Sequence, residues 1–315
     1  MQSKAEFQIA QAGTTTSFKI LSSATLPNTP ISPKKLIVYG IGMVSGLILS
    51  FVFVGVRYLL HNKITNTQEL ERLIHAPILG SVPQASEKMV VTSLIIDKKP
   101  KSALSESLRS IRTNIQFMTS LNEKQTVISV TSTISGEGKT FVAVNLGGII
   151  ALTNKRVIIL DLDMRKPRVH LAFGTEATDK GMSTVLINKH SGKECIQKTR
   201  VDNLDYIPAG PTPPNPSELL LSPAFDELIT KLKSEYDIVI LDTPPVGLVT
   251  DGILAMKKAD LGIYIVRSNF SKRAFLKTLD RLISVNQFKN ISVILNAVPN
   301  TGGKGYGYGY YDEKG

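Results

Sequence analysis

The stretch TVISVTSTISGEGKTFVAVNL, residues 126–146, places three kinds of segment in a row. A β-branched apolar run comes first, then a turn with two glycines, then a run of helix-compatible residues. That order is the frame in which the phosphate loop G-x-x-x-x-G-K-[ST] has physical meaning. The fit fails only at the first position, where Thr133 stands in place of glycine; Gly138, Lys139 and Thr140 are where the pattern needs them. The backbone N–H groups of Ser135, Gly136, Glu137, Gly138, Lys139 and Thr140, with Phe141 next in line, are expected to cradle phosphates at a helix N-terminus, where the dipole favours an anion. Lys139 is expected to bridge the β- and γ-phosphates, and the Thr140 hydroxyl to ligate Mg²⁺.

Outward from this loop the chain alternates short apolar runs with helical segments. The runs are TVISVT (126–131), RVIILD (156–161), LDYIPA (204–209), DIVILD (237–242), LGIYIV (261–266) and ISVILN (291–296). Continuous rather than alternating hydrophobics predict a parallel sheet covered on both faces. Asn215-Pro216, Ser222-Pro223 and Ser271 read as helix entries. SALSESLRSIRTNIQFM, with apolar residues at 104, 108, 111, 115 and 118, predicts an amphipathic helix. A shorter helix is expected in TNTQELERLIHA, capped by Thr67, with Glu69 and Arg72 a turn apart, and APILGSVPQ reads as extended. The expected fold is an α/β P-loop NTPase-type parallel sheet with helices on both faces.

Two strands end in acids. RVIILDLDMRKPR puts Asp161 and Asp163 at a carboxyl end, and DIVILDTPP puts Asp242 at another. Ligands of open parallel sheets bind at the carboxyl ends of the strands. A lone strand-end Asp is usually a cap, but three such acids beside a phosphate loop can converge on the phosphates.

The rest of the chain differs in composition. Leu36 to Val56 carries no charge, with Lys34 and Lys35 before it and Arg57 after it. Such a run spans the roughly 30 Å hydrocarbon layer as a helix, so one transmembrane helix is expected at 36–60. It begins too late in the chain, and lacks the cleavage site, for a signal peptide. Both flanks are basic, so loop charge alone does not orient it. Pro27, Pro30 and Pro33 are spaced as in polyproline II, and SFKILS ahead of them is a candidate strand. The formal charge of +11 points to an anionic partner, yet no run of five Lys/Arg exists, and nucleic acid is not expected. The single Cys195 excludes an internal disulfide framework. At the other end, four of the nine tyrosines, Tyr306, Tyr308, Tyr310 and Tyr311, sit among glycines in YGYGYYDEKG. Gly-Tyr alternation is poor material for a packed element.

Taken together these features resemble the bacterial tyrosine kinases (BY-kinases) of capsule and exopolysaccharide export. The likeness rests on the phosphate loop lacking its first glycine, the D-x-D-x-R strand end, D-x-P-P after the third acidic strand, ESLRSIR, the proline-led apolar helix and the tyrosine-rich tail. It covers roughly residues 20–315 in a Wzc-type arrangement. The resemblance implies an ATP- and Mg²⁺-dependent protein tyrosine autokinase. In it Lys139, Asp161, Asp163 and Asp242 are catalytic; Thr140, Asp163 and Asp242 serve the metal. Asp161 is the candidate acceptor of the tyrosine proton, with exchange of the Asp161 and Asp163 roles left open. Arg165 is assigned to contact phosphate or orient the acids. Tyr306, Tyr308, Tyr310 and Tyr311 are the phospho-acceptors, with Asp312 and Glu313 suited to a basic entrance. Glu106, Arg109 and Arg112, spaced by three on a helix, are either an intrahelical ion-pair stripe or, by resemblance, contacts within a ring of subunits. Further implied partners are the polysaccharide polymerisation and export machinery and a cognate tyrosine phosphatase. The expected location is the bacterial inner membrane with the kinase domain cytoplasmic.

The expected organisation is an extracytoplasmic remnant (1–35), the span (36–60), a linker (61–100), the kinase domain (101–299) and the tail (300–315). A full member of the family has an earlier transmembrane helix and a large periplasmic domain, so the chain reads as a fragment or shortened form. Two rivals remain. A partitioning-type ATPase shares the fold but needs a lysine early in its loop, where Thr133 and Ile134 stand. A nucleotide-binding scaffold without transfer activity sits poorly with the intact Lys139 and the three aspartates.

Overall fold

The computed structural model describes residues 2–13, 26, 32–59, 62–85, 94–96, 100–118, 125–288 and 290–299. The chain divides into two compact units, residues 1–61 and 62–315. The first holds helices α1 (Gln2–Gly13) and α2 (Lys35–Leu59). The second helix matches the expected span within one residue at each end. At 1.5 Å per residue it is long enough, and by composition apolar enough, to cross a membrane. The α1 helix was not foreseen, and the candidate strand SFKILS lies outside the described residues, as do Pro27 and Pro30.

The second unit runs α3 (Thr67–Leu73), β1 (Ile78–Pro83), α4 (Ala103–Met118), β2 (Thr126–Ser132), α5 (Lys139–Ala151), β3 (Val157–Asp161), α6 (Val169–Phe173), α7 (Met182–Leu186) and α8 (Gly192–Cys195). It continues with β4 (Gln197–Lys198), β5 (Leu204–Ile207), α9 (Pro216–Leu220), α10 (Pro223–Glu235), β6 (Ile238–Asp242), α11 (Asp251–Met256), β7 (Leu261–Arg267), α12 (Leu276–Val285) and β8 (Ile291–Val298). The strands form one sheet in the order β1-β8-β7-β2-β6-β3-β5-β4. Every pairing is parallel except β4 with β5.

Continuous hydrophobic strands are explained by two covered faces. Val157 and Ile159 of β3 enter one core cluster while Ile158 and Leu160 enter another, and β6 divides its residues the same way. All thirteen residues of α5 are buried. The helix has no polar stripe because the segment 94–96 covers its outer side. There Ile95 N–H donates to Asn145 Oδ1 at 2.8 Å, and a Cβ on Gly148 would meet Ile96 Cδ1 at 2.2 Å.

Parts of the stretch expected to be a linker are built into the sheet. β1 lies parallel to β8, with Ile78 opposite Val293, and α4 packs on it, Asn114 Nδ2 donating to Leu79 O at 2.8 Å. Two helix starts are corrected. The α3 cap is Asn66 rather than Thr67, its Oδ1 accepting Glu69 N–H at 2.8 Å; Glu69 pairs with Arg273, not Arg72. Ser271 caps no helix, because its hydroxyl is committed to the phosphate loop.

Candidate nucleotide and phosphoryl-transfer site

β2 ends at Ser132 and α5 begins at Lys139, so residues 133–138 are the loop itself. Gly136 and Gly138 take φ of 93° and 97°, a left-handed backbone that glycine adopts without penalty. A side chain at Gly138 is excluded twice over, since a Cβ there would lie 2.1 Å from Asn296 Nδ2. Thr133 is tolerated where the usual pattern has glycine because its φ is not positive. Its hydroxyl is bonded to Tyr264, and its carbonyl accepts Gly247 N–H at 3.1 Å.

The loop is braced from the β7 and β8 side. Glu137 is buried, accepting Ile134 N–H at 2.9 Å and the Ser271 hydroxyl. Burial pushes its carboxyl up from the usual range. Asn296 Nδ2 donates to Glu137 O at 2.9 Å. Arg267 donates to Gly136 O at 2.7 Å while lying 5.1 Å over the Phe270 ring. None of these braces was read from the sequence. The nearest signal was Asn296, a polar residue ending an apolar strand. Phe141 keeps its side chain in the core, so only its backbone borders the loop.

The β3 and β6 side is different. Lys139 Nζ is buried and meets Asp163 Oδ2 at 2.9 Å. Burial alone would lower the lysine pKa, but the Asp242 and Asp163 charges outweigh it and hold the ammonium charged. Thr140 Oγ1 donates to Asp242 Oδ2 at 2.6 Å, while Asp242 Oδ1 is buried with no hydrogen-bond partner among the described residues. A buried carboxylate oxygen left so is costly unless something else uses it. Burial pushes Asp242 up to about 6. Asp161 sits opposite Asp242 in register, fully buried. Its Oδ1 accepts Asp163 N–H at 3.2 Å, and its Oδ2 accepts Arg168 and Val169 N–H at 3.2 and 3.1 Å, which also caps α6. Burial first, and the Asp242 charge second, raise its proton affinity well above that of an ordinary aspartate.

Thus β2, β3 and β6 bring Lys139, Thr140, Asp161, Asp163 and Asp242 together. Ser135 and Gly136 are exposed at the loop tip. Among the described residues no three His, Cys, Asp or Glu side chains form a metal cage. Mg²⁺ does not require one, since it commonly takes one or two carboxylates plus water and substrate phosphates. The orphaned Asp242 oxygen beside the Thr140 hydroxyl fits that mode. Elsewhere, Glu106 and Arg109 form an ion pair along α4, whereas Arg112 Nε is buried without a hydrogen-bond partner among the described residues. Tyr306, Tyr308, Tyr310 and Tyr311 lie outside the described residues.

A phosphate loop opening the central helix of a parallel sheet, with acids at two neighbouring strand ends, defines a P-loop nucleotide-binding protein. Known proteins narrow the class. The model of an AAA domain matches residues 125–293, and one described as "G-rich domain on putative tyrosine kinase" matches residues 1–59. Tyrosine-protein kinase YwqD of Bacillus subtilis is 36% identical over 222 residues, covering 70% of this chain and 92% of that protein. Tyrosine-protein kinase wzc of Salmonella typhi is 33% identical over 320 residues, 98% of this chain and 44% of that one. The crystal structure of the chimerical protein CapA2B2 superposes with a TM-score of 0.68 at 37% identity, covering 74% of this chain and all of the other. The chain belongs to the bacterial tyrosine kinase family, in its Wzc-type branch. It spans less than half the length of its wzc relative. Family membership and the apolar α2 together mark an inner-membrane protein.

Proposed function

We propose that the chain is an ATP-dependent protein tyrosine autokinase that phosphorylates Tyr306, Tyr308, Tyr310 and Tyr311 on neighbouring subunits and thereby regulates capsule or exopolysaccharide synthesis and export. The observation that carries the reading is the paired contact at the loop: Lys139 on Asp163, and Thr140 on an Asp242 whose second oxygen is orphaned. Phosphoryl transfer is mostly positioning and charge neutralisation. Lys139 would neutralise the β- and γ-phosphates; Thr140, Asp242 and Asp163 would hold Mg²⁺, which would screen the phosphate charge. The γ-phosphoryl passes to the tyrosine oxygen, ADP leaves, and the phenolic proton goes to a base.

A phenol with pKa near 10 is a weak nucleophile until assisted, and Asp161, at the end of β3 opposite Asp242, is assigned as the group that accepts its proton. Asp163, tied to Lys139, is better suited to the metal. ATP and Mg²⁺ require this unit to face the cytoplasm. Glu106, Arg109 and Arg112 are assigned to a ring contact, where the unpartnered Arg112 Nε would find an acceptor. Each tail phosphate adds nearly two negative charges, so several together repel one another and loosen the ring, and a phosphatase resets it.

Transfer between subunits is tested by mixing. A Lys139→Met chain with an intact tail supplies acceptors; an active chain with all four tail tyrosines changed to Phe supplies catalysis. Phosphotyrosine on the Lys139→Met chain is expected. A bare tail in the mixture, beside a phosphorylated unaltered chain, would contradict transfer between subunits.

A further inference from the structure

Three segments that follow strands at the carboxyl edge of the sheet, the turn after β3 and the starts of α9 and α11, meet in a contact that the nucleotide site does not use. Arg165, in the turn after β3, donates its Nε to Asp251 Oδ2 at 2.9 Å. Asp251, after β6, is almost wholly buried, and its other oxygen accepts the hydroxyl of Ser217, after β5. Both oxygens of the carboxylate are therefore engaged, and one edge of the guanidinium is fixed. The terminal nitrogens of Arg165 make no hydrogen bond to a described residue, and the side chain remains 45% exposed. Lys166 and Arg168 are exposed in the same turn. A guanidinium held by one edge presents the other as a fork matched to a carboxylate.

Position selects the ligand. Lys139 leans toward β3 through Asp163, so the γ-phosphate end of a bound nucleotide lies on the β3 side of the loop. The fork on the β3–β6–β5 loops lies farther along that edge, on the side where an acceptor must approach. The tail also leaves from this edge, because β8 is parallel to the rest. Four strand spacings separate β8 from β3, roughly 19 Å. Tyr311 is twelve residues beyond Pro299, a reach of about 40 Å at most. Asp312 and Glu313 follow Tyr310-Tyr311 directly.

We infer that Arg165, positioned by Asp251 and Ser217 and flanked by Lys166 and Arg168, is the docking site for the acidic pair Asp312–Glu313 of a neighbouring copy's tail, and that it selects tyrosines followed by acids. The inference rests on the kinase reading and adds to it a basis for substrate choice.

The test uses the full-length chain with Mg²⁺ and ATP and two synthetic peptides of residues 300–315, one native and one carrying Asp312→Asn and Glu313→Gln. The unaltered chain is expected to show about a tenfold lower KM for the native peptide, with similar kcat for the two. Arg165→Gln and Asp251→Asn should each abolish that preference, and Arg165→Lys should restore part of it. Asp251 is buried and its variant can fail to fold; Arg165 is half exposed, so its variants keep the test decisive. Equal KM for both peptides, or a preference that survives Arg165→Gln, would overturn the docking site while leaving the kinase reading in place. An equal fall in kcat for both peptides with the preference intact would also overturn it, by assigning Arg165 to the phosphate. Phosphorylation of neither the peptides nor the chain's own tail would overturn both readings.

Discussion

The two flanks of the phosphate loop are built on opposite principles. On the β7 and β8 side, Ser271, Asn296, Arg267 and Tyr264 hold the loop through satisfied hydrogen bonds. On the β3 and β6 side, Asp161, Asp163 and Asp242 share one ammonium, and one carboxylate oxygen has no partner among the described residues. The first flank surrounds its one buried acid, Glu137, with donors and fixes where phosphates can sit. The second is paid for in stability, since buried acids whose proton affinity is raised destabilise the fold when ionised. Rigidity and reactivity are thus separated across a single strand, β2.

The largest effect should come from breaking the rigid flank. Gly138→Ala forces a Cβ into Asn296 at a positive φ, and a loss of about 3 kcal/mol in denaturant unfolding is expected, with nucleotide affinity lost as well. On the reactive flank the sign reverses. Asp242→Asn keeps an acceptor for Thr140 but removes a buried charge, so it should stabilise the nucleotide-free protein by about 2 kcal/mol while abolishing tail phosphorylation. A smaller loss, about 1 kcal/mol, is expected for Ser271→Ala, which deprives the buried Glu137 of a donor; thermal unfolding reads it directly. Smallest is Arg273→Ala, which breaks the pair with Glu69 while leaving the Thr65 bonds in place and should cost about 0.5 kcal/mol.

Acidification sharpens the contrast without mutation. Asp242 binds its proton more tightly folded, at about 6, than unfolded, near 3.9. Its ionisation cost is full above pH 6 and is relieved as pH falls from about 6 toward 4. Glu69 runs the other way. Burial raises its pKa, but the Thr65 amide and hydroxyl and Arg273 outweigh burial and hold it below the usual range. Its contribution is present above the unfolded value and lost as pH falls through the lower folded one. In the nucleotide-free protein, Asp242→Asn should remove that part of the pH dependence of stability, read by denaturant unfolding at pH 4, 5, 6 and 7.

Much of the fold was legible because β3 and β6 are buried on both faces and therefore read as unbroken apolar runs. β4 is two residues long and antiparallel, a length at which no pattern exists. β1 carries Gly80 and Pro83, and its place beside β8 depends on partners far away in sequence, β8 itself and the α4 helix packed on it. The chemical groups of the site were legible because the loop, D-x-D and D-T-P-P are local patterns. The braces were not, since Ser271 and Asn296 reach Glu137 across 134 and 159 residues. Ser271 before a basic stretch looks like a helix cap, and only the folded sheet reveals Glu137 as its partner. Asp251 was similarly opaque, because its role depends on two other loops arriving at the same edge.

The most direct test of the account is phosphotyrosine mapping by mass spectrometry of the purified full chain after incubation with Mg²⁺ and ATP, beside Lys139→Met. The account predicts phosphate on Tyr306, Tyr308, Tyr310 or Tyr311 in the unaltered chain and none in the variant. ATP hydrolysis with a bare tail would contradict it, leaving a P-loop ATPase whose acids serve water rather than tyrosine.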